Sequence, residues 1–159
     1  MWVVVAVVVV VVAVATYLTW AATRVDRLHA RAAAALAALI AASQRRADAA
    51  VEFGEREGFA EAQAAAATVL GSRGEERAEA ENRLTRTLRL AATKFDADVL
   101  TEVAETSRRL ALARQVHSDL VRDAQAVRQR PVVRLLGLPR RHAEPEFFDI
   151  DDPALEPPH

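Results

Sequence analysis

The chain has 159 residues, no cysteine and a formal net charge of −1. The absence of cysteine excludes disulfides and thiol chemistry, and it is compatible with a reducing compartment. Twenty arginines accompany a single lysine, but they alternate with Glu and Asp along most of the chain. This mixture is typical of solvated helix surfaces, so we expect no nucleic-acid partner.

The first segment is almost wholly apolar. Residues 2–20 contain no charge, glycine or proline, and ten of the residues from Val3 to Val14 are valine. Continued to residue 22 as a helix, the run reaches about 31 Å, which matches the ~30 Å hydrocarbon core of a bilayer. A single span must satisfy its backbone hydrogen bonds within itself. We therefore predict a transmembrane helix over residues 1–23.

The flanks of this span predict its orientation. Arg24 and Arg27 follow it directly, and positive charge is retained on the cytoplasmic side. Aromatic residues of the kind that anchor helices at membrane interfaces lie at its two ends, namely Trp2, Tyr17 and Trp20. We expect the N-terminus outside, the remainder in the cytoplasm, and the chain in a bacterial inner membrane.

A cleaved secretory signal peptide is the alternative interpretation of the same segment. Residues 13–15 (Ala-Val-Ala) have the small-x-small pattern of a cleavage site. Against cleavage, no basic region precedes the apolar run, and the run continues past Ala15. We expect the segment to be retained.

Residues 24–130 are predicted to form an antiparallel, up-and-down helical bundle of three long helices and one short helix, so the fold class is all-α. The first helix continues the span without a break and carries one apolar stripe, made of Val25, Leu28, Ala32, Leu36, Leu39, Ser43, Ala50 and Phe53. Gly54 and Gly58 are expected to end it, and a short helix follows over residues 59–70. Ser72 and Glu75 have capping-box spacing at the start of a third helix. That helix has one apolar face, made of Leu84, Leu88, Ala91 and Phe95.

The last long helix has the clearest periodicity. Eight positions follow a 3-4-3-4 spacing typical of a coiled-coil-like seam, namely Val103, Thr106, Leu110, Ala113, His117, Leu120, Ala124 and Val127. The seam predicts that His117 is a buried, hydrogen-bonded histidine. Pro131 is expected to end the helix.

Residues 131–159 are predicted to be a tail that begins basic and apolar, becomes acidic and proline-rich, and is partly disordered. If the helices alternate in direction, Arg134, Arg140 and Arg141 return to the anionic inner leaflet as a second membrane contact. The alternative is that the apolar residues of this segment cover the open end of the bundle.

No catalytic constellation is evident. The sequence has no phosphate-binding loop, no HExxH and no nucleophile elbow. Asp26 and His29 have the i, i+3 spacing of a bundle metal site, but the second motif that such sites need is missing, so we expect no metal and no cofactor. Glu79, Glu81 and their counterparts on the last helix, Glu102 and Glu105, are expected to be solvated. We expect no enzyme activity.

Several segments resemble the LemA family of bacterial membrane-anchored proteins. They are residues 44–48 (QRRAD), 80–88 (AENRLTRTL), 113–123 (ARQVHSDLVRD) and the tail elements Leu-Leu-Gly-Leu and Glu-Phe-Phe-Asp. The resemblance implies a short span, a long first helix, an antiparallel bundle and a membrane location, and it supplies no catalytic residues. The chain departs from the family pattern at His117-Ser118, at Ala124-Gln125 and over residues 49–53, which indicates a divergent branch.

Two functions follow as hypotheses. The first is a non-catalytic, membrane-tethered scaffold or interaction module whose polar helix faces bind a protein, with residues 73–89, the Arg108/Arg109 pair and the Arg45/Arg46 edge exposed. The second is a lipid- or envelope-associated factor that uses the basic tail. Self-association is also open, because the small residues 32–35 allow close helix approach.

Overall fold

The computed structural model describes residues 1–129 and 147–155. It contains four helices, α1 (Trp2–Glu57), α2 (Ala60–Gly71), α3 (Gly74–Ala92) and α4 (Thr101–Arg128), with no strand in the described residues. The all-helical prediction is therefore confirmed. The apolar N-terminal run and the first bundle helix form one continuous helix of 56 residues, as predicted.

The chain divides into two compact units, and α1 and α4 contribute a segment to each. The first unit comprises Met1–Ala34 and the part of α4 from Asp119, and in it Val25 and Val127 are buried against each other. Ala22 and Leu28 pack against this pair. The second unit holds the remaining parts of α1 and α4, together with α2, α3 and the C-terminal segment, residues 147–155.

The second unit has the main core. Side chains from all four helices contribute to one apolar cluster, which includes Phe53, Val69, Leu84, Leu88 and Val103. The rings of Phe53, Phe59 and Phe95 pack edge to face, with centroids 5.2–6.2 Å apart. The predicted apolar face of α3 therefore points into this core, with Phe95 just beyond the end of the helix. Of the predicted α1 stripe, Ala50 and Phe53 belong to this core.

The predicted seam of α4 is also found. Six of its eight positions are buried, and Ala113 and Leu120 are half-buried. Leu110 is fully buried with Leu39, Ala42 and Ile150, so that α1, α4 and the C-terminal segment meet around it.

One boundary prediction was right in part, since Gly58 directly follows the last residue of α1, and another was wrong. Gly54 does not end α1, which continues to Glu57 and is followed by Gly58 in the left-handed conformation, at φ +68°. The expected capping box does not form, because the Ser72 hydroxyl donates to the Thr68 carbonyl at 2.6 Å. Arg73 is instead the residue before α3, and it makes no side-chain capping bond.

Gly54 permits the close approach of α1 and α2, which makes a matched test possible. A Cβ at this position would lie 2.9 Å from the Gln63 backbone nitrogen and 3.0 Å from the Phe59 carbonyl oxygen. We expect Gly54→Ala to lower the free energy of unfolding by about 1–2 kcal/mol, because overpacking outweighs the gain in helix propensity. At Gly71 a Cβ meets no atom within 4 Å, so Gly71→Ala should be neutral or mildly stabilising. Chemical unfolding of both variants measures this, and equal losses would contradict the assigned contact.

Candidate functional site

The predicted interface residues on α1 lie at the two ends of its apolar part. Trp2 is 88% exposed at one end, and Tyr17 and Trp20 are half exposed near the other. The rings of Tyr17 and Trp20 are 6.1 Å apart, and the guanidinium carbon of Arg24 lies 5.6 Å from the centroid of the Trp20 ring. Arg27 is exposed one turn further on. Three of the predicted residues thus form one aromatic and cationic cluster, and their role at an interface stays a prediction.

The rest of the predicted membrane contact, Arg134, Arg140 and Arg141, lies outside the described residues. The part of the tail that is described packs on the helices of the second unit. Ile150 and Pro153 of the C-terminal segment are buried there, and Leu155 packs against the main core. This docking was not foreseen from the sequence.

A second polar cluster lies inside the bundle, and we call it the polar centre: Arg46 of α1, Glu81 and Thr85 of α3, and Ser107 of α4. All four residues are at most 1% exposed. The Arg46 guanidinium donates from Nη1 to Glu81 Oε2 at 2.7 Å and to Thr85 Oγ1 at 3.0 Å. Its Nε donates to Ser107 Oγ at 3.0 Å. One buried cation therefore connects three helices.

The polar centre corrects two predictions. Arg46 was expected on an exposed edge beside Arg45, and Glu81 on a solvated face, whereas both are buried. The positions of these two residues in the sequence did indicate their burial. Arg46 lies seven residues before the buried Phe53, and Glu81 lies seven residues before the buried Leu88. A spacing of seven residues is two helical turns, so both residues are on the core-facing side of their helices.

Burial lowers the pKa of Arg46, and the charge and hydrogen bond of Glu81 oppose that change. An arginine starts so far above neutral pH that it stays protonated here. The guanidinium holds acceptors in place, and its burial leaves no access for a substrate. The arrangement can therefore fix the positions of helices, and it has no evident route to catalysis.

The same arginine reaches the C-terminal segment. Arg46 Nη2 donates to the Pro153 carbonyl at 3.4 Å, and Arg89 Nη2 donates to the Asp152 carbonyl at 2.9 Å. The backbone nitrogen of Asp151 donates to Asn82 Oδ1 at 2.7 Å. The helices thus hold this segment largely through its main chain, and Ile150 and Leu155 supply apolar contacts.

His117 is buried as predicted, at 2% exposure, and burial lowers its pKa. Its Nδ1 has no hydrogen-bond partner within residues 1–129 and 147–155, so the predicted hydrogen bond is not found at that atom. The other histidine considered, His29, is half-buried with Nε2 3.5 Å from Arg128 Nη1. In the described part of the chain, no group of three or more His, Cys, Asp or Glu side chains is placed to hold a metal.

The lowered pKa of His117 predicts a pH dependence of stability. The unfolded histidine takes up its proton near pH 6.5, whereas the buried one resists it until a lower pH. Its contribution is therefore fully present above about pH 6.5 and is lost as the pH falls towards the folded pKa, by at most about 1.4 kcal/mol per pH unit. Unfolding of the chain and of His117→Gln from pH 7.5 to 5 measures this. The native chain should lose more stability, and parallel curves would contradict the assignment.

Comparison with known proteins adds no family name to this geometry. No protein-family model, curated protein or solved structure matches the chain. Within the described residues, α1 is the one helix long and apolar enough to cross a membrane, and none of its most apolar 18-residue window is buried within the protein. This exposed apolar segment of α1 is the observation from which a function can be proposed.

Proposed function

We propose that the chain is a non-catalytic, single-pass membrane protein whose helical bundle acts as a scaffold or interaction module at the cytoplasmic face of a bacterial inner membrane. One observation carries the proposal: every valine from Val3 to Val14 is at least 50% exposed on α1. An apolar surface of this extent is unfavourable in water, and it is typical of contact with lipid or with another protein. The length of the run favours lipid.

We further propose a LemA-like architecture, and the polar centre supports it. Two of the segments that carry the resemblance are 35 residues apart, yet Arg46 from residues 44–48 is bonded to Glu81 from residues 80–88. A third, residues 113–123, contributes the buried Val121. Segments that carry the resemblance thus contribute buried residues to the helices.

The polar faces of the bundle are the proposed partner surface. Exposed arginines remain on each long helix of the second unit, namely Arg45, Arg83, Arg86, Arg89, Arg108 and Arg109. Arg46 is no longer part of this set because it is buried. Exposed arginine side chains suit a partner rich in carboxylates or phosphates.

The absence of cysteine gives a direct test of the proposed topology. Arg73→Cys places one thiol in the exposed turn before α3. A membrane-impermeant maleimide should label this variant only after the cells are lysed. Trp2→Cys serves as the reciprocal variant and should be labelled in intact cells. Labelling of Arg73→Cys in intact cells would rule out the cytoplasmic placement.

The alternative is a lipid- or envelope-associated factor, and crosslinking separates it from the scaffold. After crosslinking in cells and purification in detergent, a scaffold should carry a defined protein partner, whereas a lipid factor should carry mainly lipid. Crosslinks between two copies of the chain would instead indicate self-association.

A further inference from the structure

Three arginines follow the apolar part of α1 along one side of the helix, and we call them the basic face: Arg24, Arg27 and Arg31. Counted from Trp20, they recur with a 4-3-4 spacing that keeps all four residues on one side. A surface cavity of about 270 Å³ runs along this side and is lined by Trp20, Thr23, Arg24, Arg27, Leu28 and Arg31. The cavity therefore has an aromatic end and a cationic wall.

The positive charge of the basic face is not neutralised by the described residues. All three arginines are exposed, and the ion pairs of the described chain involve other arginines. Asp26, the nearest acid in the sequence, projects from another side of α1 because it is two residues from Arg24 and one from Arg27. Within residues 1–129 and 147–155, the side-chain contact found for these arginines is that of Arg24 with the Trp20 ring. Such a contact orients a guanidinium and leaves its N–H donors available.

We infer that the basic face binds the phosphate groups of anionic phospholipid headgroups, an inference that rests on the proposed membrane anchoring. A planar guanidinium donates two parallel hydrogen bonds to a phosphate, and three such groups on one side favour lipids with net negative charge over zwitterionic ones. The neighbouring indole is the side chain expected at the headgroup level.

Helix geometry places the arginines at the depth this requires. At about 1.5 Å per residue, Arg24 lies ~6 Å and Arg27 ~10 Å beyond Trp20 along the axis. The headgroup layer of one leaflet is about 5–7 Å thick, so Arg24 lies within it. The backbone of Arg27 lies about 3–5 Å beyond its outer edge, a distance that the long arginine side chain can span back to the headgroups. Arg31, about 16 Å beyond Trp20, lies about one Debye length beyond that edge and acts through the surface potential.

The test compares lipid preference with anchoring in the full chain. The protein is first floated with vesicles of phosphatidylcholine alone, which measures anchoring without anionic lipid. It is then reconstituted in a mixture of phosphatidylcholine and phosphatidylglycerol, and spin-labelled versions of each lipid report their relative association with the protein. We expect a clear preference for phosphatidylglycerol that weakens at high salt.

Two triple variants of equal charge assign the preference to a site. Arg24→Gln/Arg27→Gln/Arg31→Gln should reduce it by about fivefold for each arginine that contacts a headgroup. The matched control, Arg56→Gln/Lys94→Gln/Arg114→Gln, removes three cationic side chains of the second unit that lie outside the proposed partner surface, and it should leave the preference unchanged. Changing the basic face to lysine should retain part of the preference, because charge is kept and the paired hydrogen bonds are lost.

The outcomes separate this inference from the proposed function. If the chain fails to float with phosphatidylcholine vesicles, the proposed membrane anchoring is wrong, and the headgroup site that depends on it is wrong as well. If it floats but associates equally with both lipids, the anchor stands and the headgroup site is wrong. If the control variant loses as much preference as the basic-face variant, the effect is one of net charge and the site is again wrong.

Discussion

Replacing Glu81 by alanine is expected to lower the free energy of unfolding by about 3–5 kcal/mol. The change leaves the Arg46 guanidinium buried without its one carboxylate partner, since the other acceptors of the polar centre are neutral oxygens. A buried, uncompensated charge is among the most destabilising defects in a protein core. The loss is a large fraction of the ~5–15 kcal/mol by which domains are stable.

Chemical unfolding of the full chain in a nonionic detergent, followed by circular dichroism, measures this loss. Glu79→Ala is the matched control, because it removes an exposed carboxylate two residues away on the same helix. The double variant Arg46→Met/Glu81→Leu removes both charges and should recover most of the stability. If Glu81→Ala is as stable as Glu79→Ala, the polar centre does not exist as described.

Leu110→Asp should unfold most of the second unit. Leu110 is fully buried against Leu39, Ala42 and Ile150. Truncating a buried leucine alone costs about 3–5 kcal/mol, and the aspartate adds the cost of a charge with no partner. A total loss of at least about 5 kcal/mol is comparable with the whole stability of a small domain.

The neighbouring residue is the control for that experiment. Arg109 is exposed and pairs with Glu105 at 3.2 Å on the surface of α4. Such pairs contribute about 0.5 kcal/mol or less, so Arg109→Ala should be nearly silent in the same unfolding assay. Similar losses in both variants would mean that the buried and exposed faces of α4 have been interchanged.

The periodicity of apolar residues in the sequence correctly predicted the helices whose buried side chains recur at regular spacing. The valine-rich run, the stripe from Val25 to Phe53 and the seam of α4 depend on spacing alone, and spacing is visible in one sequence. Gly54 was misjudged because a helix tolerates glycine where another backbone comes close. The capping motif at Ser72 failed because the hydroxyl bonds back to the preceding turn.

The polar centre could not be predicted in the same way. A charged residue at a core-facing position of a helix is taken for a surface residue until its partner is known. The hydrogen-bond partners of Arg46 are 35, 39, 61 and 107 residues away in sequence. The docking of residues 147–155 was missed for a related reason. This irregular segment is held through its main chain, so its sequence has no periodic pattern of apolar residues that would predict the contact.

The central claim is that the apolar half of α1 crosses a lipid bilayer, and depth-dependent fluorescence quenching tests it most directly. The chain has two tryptophans, Trp2 and Trp20, and Val11 lies halfway between them, about 13–14 Å from each along the helix. Single-tryptophan variants of the full chain, with the tryptophan at position 2, 11 or 20, are reconstituted in vesicles of lipids brominated at different depths. We expect position 11 to be quenched most by bromines near the bilayer centre, and positions 2 and 20 by bromines near the headgroups. The same shallow profile at all three positions, or no quenching, would contradict the account.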